Sequence, residues 1–360
     1  MHFSDRLLQW YSVNGRPLPW RQTNDPYVVW ITEIILQQTR VDQGMEYFYR
    51  FLEAFPDVAS LAAAPIEKVL RLWQGLGYYS RARNLHAAAK EIIENRNGQL
   101  PQTYHDWLKV KGVGPYTAAA IASIAFNEVV PAIDGNGFRV LARIFAVKEK
   151  IDTSKGKKIF QEIAAELIDN KKPGAFNQAM MDFGATVCKP ASPKCPYCLF
   201  NRECLAFLDK SVDKLPLKKE RKKPRSRHFN YFYFFWEEND GQTYFLVNQR
   251  KDNDIWKNLF ELPLIETSQQ AHPDKITASE TWKLWFPGPS NKVLPVSTLV
   301  ISHPLTHQTI NARFFRMKIN PDETKFLIKN FHAIDHTAFE KMPKSKLMVL
   351  FLEKIKNFTN

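Results

Sequence analysis

Along the first two hundred residues, apolar positions recur at the three-to-four spacing of helices that bury one face. Ala-rich segments Leu61 to Leu72, Arg81 to Asn95 and Thr117 to Phe126 carry this rhythm, with Gly, Pro or Asn in the gaps. Val28 to Leu36 departs from it, being apolar almost all round with Glu33 in its middle. After residue 228 the rhythm becomes that of strands. Phe229 to Trp236, Thr243 to Gln249, Leu299 to Ser302 and Ala312 to Ile319 are dense in aromatic and β-branched residues. Lys344 to Lys356 predicts a closing amphipathic helix. The pattern predicts an all-α region over 1–208 and a smaller α/β region over 229–360, without a repeat of fixed period.

Composition sharpens this. A chain of 360 residues exceeds what one core usually serves, and 44% hydrophobic residues argue for globular domains rather than disorder. Fifty basic against 37 acidic residues leave +13, suited to a polyanion, either nucleic acid or an anionic membrane surface. Residues 209–228 hold nine basic and three acidic residues with Pro216 and Pro224, which reads as an exposed basic linker able to follow a phosphate backbone. The first residues lack a basic region followed by an apolar run, and no stretch approaches the roughly 18–20 apolar residues of a membrane span. The expectation is a soluble, cytoplasmic protein, nucleoid-associated if bacterial, with no membrane partner and monomeric by default.

Four cysteines, Cys188, Cys195, Cys198 and Cys204, are the chain's complete set, spaced C-x6-C-x2-C-x5-C. Their clustering points to one local metal centre rather than a disulfide framework. Zinc sites usually pair two C-x2-C knuckles across a dozen or more residues, whereas only one tight pair exists here, which favours an iron–sulfur cluster. Lys189, Lys194 and Arg202 in and beside the loop suit a phosphate contact.

Leu108 to Thr117 contains Gly112-Val113-Gly114 ahead of an Ala-rich helix. Two glycines allow a tight turn and close backbone approach, and the following helix N-terminus offers free N–H groups to a phosphate. That is the logic of a helix-hairpin-helix gripping DNA without reading sequence, although a plain helical turn can look the same. Glu33, if buried, takes a raised pKa and becomes a candidate general acid; the alternative is a wet stripe beside Arg40 or Arg50. Asp134 lies before the helical run Phe138 to Val147, where it is either an N-cap or the second member of an acid and carboxylate pair.

Taken together, these features resemble the adenine DNA glycosylases of the MutY type, in the helix-hairpin-helix glycosylase superfamily. The matching strings cover most of 1–208: Leu18-Pro19-Trp20-Arg21, Glu33 to Thr39, Trp73 to Asn84, the glycine hairpin, Asp134-Gly135-Asn136, Phe176 to Gly184 and the cysteine loop. The resemblance implies a six-helix barrel module plus an iron–sulfur module with a [4Fe-4S] cluster on the four cysteines. It implies excision of adenine opposite 8-oxoguanine or G in duplex DNA, initiating base excision repair. Glu33 would protonate N7 of the flipped base and Asp134 would stabilise the sugar cation, with Asn136 helping to hold the site and Tyr116 packing beside the sugar to polarise the reacting centre. Gln37, Gln38 and Tyr78 match positions that wedge into the duplex.

Endonuclease III-like enzymes place a nucleophilic lysine where this chain has Tyr116, so the resemblance implies a monofunctional glycosylase. Residues 229–360 resemble the family's Nudix-like domain that recognises 8-oxoguanine, but without a glutamate-rich hydrolase run. Its base-sensing loop usually reads Phe-Ser-His and is Leu305-Thr306-His307 here. Two other readings remain: a bifunctional lyase or a glycosylase for another base, and a non-catalytic DNA-binding module carrying an iron–sulfur cluster in which Glu33 and Asp134 are structural.

Overall fold

The computed structural model describes residues 2–220, 223–238, 241–251, 254–287 and 299–356. The chain forms two compact units, Met1–Ala63 with Asn84–Arg221 and Ala64–Arg83 with Lys222–Asn360.

The first unit is helical. Helices α1 (Phe3–Asn14), α2 (Pro26–Leu36), α3 (Val41–Ala54) and α4 (Val58–Ala63) are followed, after α5 (Ile66–Leu72), by α6 (Ser80–Arg96), which enters this unit at Asn84. Then come α7 (Tyr104–Trp107), α8 (Pro115–Phe126), α9 (Gly135–Ile144), α10 (Ser154–Leu167), α11 (Pro173–Thr186) and α12 (Leu205–Leu208). The expected helix Leu61 to Leu72 is in fact two, α4 and α5. Pro65 is the N-cap of α5 at φ −60°, ψ 141°; without an N–H it cannot continue α4 but is tolerated at a helix start. Helix α8 is rich in alanine, so its backbone approaches both α2 and α11. Leu7, Leu141, Phe160, Phe176, Phe183 and Phe200 build a core beside it. Buried Asn177 braces the approach to α9, accepting from the Ala132 N–H (3.0 Å) and donating to the Ser123 hydroxyl (2.8 Å) and the Val130 carbonyl (3.0 Å).

The second unit is built on a mixed sheet. Strand β1 (Arg225–Glu237) pairs antiparallel with β2 (Thr243–Gln249) at one end and with β4 (Leu264–Thr267) toward the other; β3 (Phe260–Glu261) pairs with β2. Strand β5 (Leu299–Pro304) forms a hairpin with β6 (Gln308–Lys318), which runs parallel to β1 from Arg225↔Gln308 to Phe235↔Lys318, and β7 (His332–Asp335) adds to β2. Both faces of β1 are covered, which is why its sequence reads as a continuous aromatic run instead of alternating. One face packs Phe232 and Phe234 against Trp282 and Trp285; on the other, Tyr233 meets Phe245 and Phe351. The closing helix spans Lys346–Lys356.

The basic stretch 209–228 is exposed only in part. Leu215 is buried, β1 begins at Arg225, and Arg227 is buried between Asp254 and Glu266. Residues 221 and 222 lie outside the described residues. Among the described residues no helix is long and apolar enough to cross a membrane.

Candidate active site

Glu33 stands on α2 where Ile31, Thr32, Ile34 and Ile35 are all buried, and its carboxyl opens into a cavity of about 650 Å³. Burial pushes its pKa up to about 7; the nearby Tyr116 hydroxyl, which donates to Met181 Sδ at 3.5 Å, works the other way, the Asp134 charge adds to the rise, and Arg21 opposes it. The cation that acts on Glu33 is Arg21, whereas Arg50 pairs with Glu46 and Arg40 is exposed at the N-cap of α3. Glu33, Asp134, Tyr116, Asn136, Gln37, Gln38 and Gly114 all line this one cavity.

Asp134 is an N-cap and also lines the cavity. One oxygen accepts from the N–H groups of Asn136 (2.9 Å) and Gly137 (2.7 Å), and the other accepts from Asn136 Nδ2 (2.7 Å). The helix therefore starts at Gly135, earlier than the expected Phe138. Burial pushes the Asp134 carboxyl upward, while these donors and the Arg139 charge favour its ionised form. Arg139 donates to Asn136 Oδ1 (2.7 Å), to the Gly184 carbonyl (2.7 Å) and to the Cys188 carbonyl (2.7 Å), so hydrogen bonds connect the carboxylate to the cysteine loop.

The hairpin leads into α8, whose second residue is Tyr116. Gly112 has φ +83°, and a Cβ there would lie 2.7 Å from Asn84 Cβ, so both conformation and space demand glycine. Gly114 is the N-cap of α8, and a Cβ there would meet nothing within 4 Å. The helix N-terminus thus carries no side-chain cap and is open to an anion. Gln37 and Gln38 do not sit on a helix face. Gln37 caps α2 and reaches the Thr117 hydroxyl at 3.2 Å, while Gln38 is exposed with φ +59°.

Sequence reasoning missed Arg16, Arg21, Gln178 and Met181 as cavity residues. Arg21, Gln178 and Met181 lay inside quoted motif strings without a role. Arg16 and Arg21 converge on Asp182 of α11, which is fully buried.

Cys188, Cys195, Cys198 and Cys204 line one small cavity with Ile144, Phe183, Val187, Phe207 and Val212. Arg143 lies against the Cys188 sulfur (3.5 Å) and holds the Lys189 carbonyl (2.7 Å); the Phe200 N–H points at the Cys198 sulfur (3.4 Å). Burial and the other thiols push Cys198 up to about 11 and raise Cys195 and Cys204. Among the described residues no set of three or more His, Cys, Asp or Glu forms a site for a metal ion. The four sulfurs share one space walled by apolar side chains.

Tyr78, Leu305, Thr306 and His307 belong to the second unit. Leu305-Thr306-His307 is the turn of the β5–β6 hairpin, with Thr306 and His307 exposed. Tyr78 lies before α6 at φ +45°, 43% exposed, and its hydroxyl hydrogen-bonds Thr306. Tyr79 donates to the Lys344 carbonyl (3.0 Å) and Arg83 to the Lys257 carbonyl (3.0 Å), tying 64–83 into this unit.

Residues 31–166 match the HhH-GPD superfamily of base excision DNA repair proteins. An adenine DNA glycosylase of Buchnera aphidicola subsp. Acyrthosiphon pisum (strain APS) is 36% identical over 270 residues, spanning 75% of this chain and 76% of that protein. The Mus musculus adenine DNA glycosylase is 41% identical over 214 residues, 57% of this chain and 42% of that protein. A thermostable thymine-DNA glycosylase superposes with a TM-score of 0.54 at 29% identity, covering 57% of this chain and 95% of that one. An endonuclease III–DNA complex, 22% identical with a TM-score of 0.50, shares the fold over 57% of this chain and 94% of that one. The chain therefore belongs to the adenine DNA glycosylase family, with the helical HhH-GPD fold joined to a carboxy-terminal mixed sheet.

Proposed function

We propose that this chain is a monofunctional glycosylase that removes adenine opposite 8-oxoguanine or G in duplex DNA and leaves an abasic site. One observation carries the reading: a single cavity holds a carboxyl poised to keep its proton near neutrality and a second one surrounded by donors. Two carboxyl groups so differentiated suit acid-assisted cleavage of a glycosidic bond. Glu33 gives its proton to N7, the C1′–N9 bond breaks with its electrons leaving on the purine, and positive charge develops on the sugar. Asp134 stabilises that charge. A water then adds to C1′ and gives up a proton to a carboxylate, which restores the site. Asn136 fixes the orientation of Asp134, and Tyr116 packs beside the sugar and polarises the reacting centre.

Base flipping costs a few kcal/mol of unstacking. In this reading Gln37, Gln38 and Tyr78 offset it as wedges; the left-handed backbone at Gln38 and Tyr78 supports that assignment, since such strain gathers at functional positions. The open N-terminus of α8, with Gly112 and Gly114, holds a DNA phosphate. Thr306 and His307 supply hydrogen bonds to 8-oxoguanine, with Leu305 in place of an aromatic wedge, and the aromatic-cored mixed sheet is read as a Nudix-like recognition domain over 229–360. Regions 1–208 and 209–228 are then the catalytic region and the linker, the segment 64–83 packing with the recognition domain. The four cysteines would hold a [4Fe-4S] cluster, which would supply a rigid support for the loop.

The test uses duplexes with A opposite 8-oxoguanine, G, T or C, followed by alkali to reveal abasic sites. Scission opposite 8-oxoguanine and G alone, lost in Glu33→Gln and Asp134→Asn, supports the reading. Scission at oxidised pyrimidines, or a rapid borohydride-trapped adduct of the unaltered protein, overturns it.

A further inference from the structure

We propose that Asp182 is a positioning residue for the acid step, holding Arg21 at the cavity wall and supplying its counter-charge so that this cation does not strip the proton from Glu33. The inference rests on the acid role proposed for Glu33. Asp182 lies on α11, 0% exposed. Its Oδ1 accepts from Arg16 Nε (2.8 Å) and Arg21 Nη2 (2.8 Å); its Oδ2 accepts from the Arg16 backbone N–H (2.9 Å) and from Arg21 Nη1. A buried carboxylate with this many donors is fully satisfied and ionised. Although burial acts to raise its pKa, the hydrogen bonds from both arginines hold it below the usual carboxylate range.

Both arginines line the cavity that Glu33 opens into. Arg21 is the more enclosed, with 10% of its side chain exposed against 30% for Arg16, so water screens it less. The groups facing Glu33 are Tyr116 from α8, Asp134 from the start of α9 and Arg21 from the turn Pro19–Arg21. Arg21 is the cation in that set. Left uncompensated, it would favour the ionised form of Glu33 and so remove the acid. Bidentate pairing to Asp182 limits this and fixes the guanidinium in one orientation.

The experiment measures single-turnover excision of A opposite 8-oxoguanine between about pH 5 and 9 for the unaltered protein, Asp182→Asn and Arg21→Gln. The unaltered protein loses activity as pH rises past about 7. In Asp182→Asn that limb moves down by about one unit, so activity at pH 8 falls a further tenfold or so while the rates converge toward low pH. In Arg21→Gln the limb moves up, because the cation that lowers Glu33 is gone while the Asp182 charge remains. A support role without electrostatic influence would lower rates in parallel and leave both limbs in place, and that result overturns the proposal. If circular dichroism shows Asp182→Asn unfolded, the double variant Asp182→Asn/Arg21→Gln decides: a limb back at the unaltered position supports the proposal, a limb still raised as in Arg21→Gln overturns it. A flat profile in the unaltered protein overturns the acid role of Glu33 first, which separates the two failures.

Discussion

Replacing Glu33 by Gln should abolish excision and at the same time make the protein more stable at alkaline pH. The folded carboxyl titrates at about 7, against an ordinary glutamate near 4.5, so the folded state binds the proton more tightly than the unfolded chain. Stability from this group is intact below about pH 4.5, erodes as pH climbs toward 7, and is flat above that. A difference of about 2.5 units at 1.36 kcal/mol each amounts to about 3 kcal/mol of destabilisation at pH 8. Glutamine has nearly the same shape, keeps an oxygen near the Tyr116 hydroxyl, and never ionises. Urea unfolding of both proteins at about pH 5 and pH 8 is the assay. Glu33→Gln should gain less than about 1 kcal/mol at the lower pH and about 3 at the higher. Subtracting one pH from the other cancels any packing change. A gain of the same size at both pH values would refute the buried, proton-holding glutamate.

Asp134→Asn should leave only residual excision, and that residue should lose its alkaline limb at lower pH than the unaltered protein, because the Asp134 charge helps raise Glu33; an unmoved limb in single-turnover assays would contradict the coupling. Gly112→Ala forces an L residue to φ +83° with its Cβ 2.7 Å from Asn84 Cβ, which should cost about 2 kcal/mol in urea unfolding and weaken duplex binding at constant salt; unchanged stability and binding would mean that the turn relaxes. Cys188→Ala or Cys198→Ala should lower bound iron and sulfide and open 188–204 to protease, and retention of full iron with an intact loop would argue against the cluster. Iron chelation of the unaltered protein should produce the same protease pattern.

What the chain revealed on inspection follows from how local each feature is. Glu33 stood out because its neighbours within one helical turn are apolar, and burial of those same neighbours is what raises its pKa. Asp134 admitted two readings that prove to be one geometry, since the N–H groups of a capped helix start are also donors that favour a carboxylate. Short elements were illegible: β3 has two residues and β7 four, too few to carry a period. Pairings distant in sequence left no local mark. Asp182 meets Arg21 across 161 residues, and Arg227 is drawn out of a charge run by Asp254 and Glu266, 27 and 39 residues away. The packing of 64–83 with the carboxy-terminal sheet depends likewise on partners such as Lys344 and Thr306.

The two cavity carboxyls raise a question of proton distribution, since one must be acid while the other is anion. Burial raises both, so burial alone cannot separate them. Hydrogen-bond donors can. Glu33 has the Tyr116 hydroxyl nearby, whereas Asp134 receives three donors, two of them backbone N–H groups at the positive end of α9, with the Arg139 charge nearby. The anion therefore belongs on Asp134, and its charge then raises Glu33 further, so each protonation state reinforces the other. Arg21 is the element that would blur this division, as a cation on the Glu33 side. Its pairing with Asp182 keeps the asymmetry, which is why a residue outside the cavity lining bears on which carboxyl holds the proton.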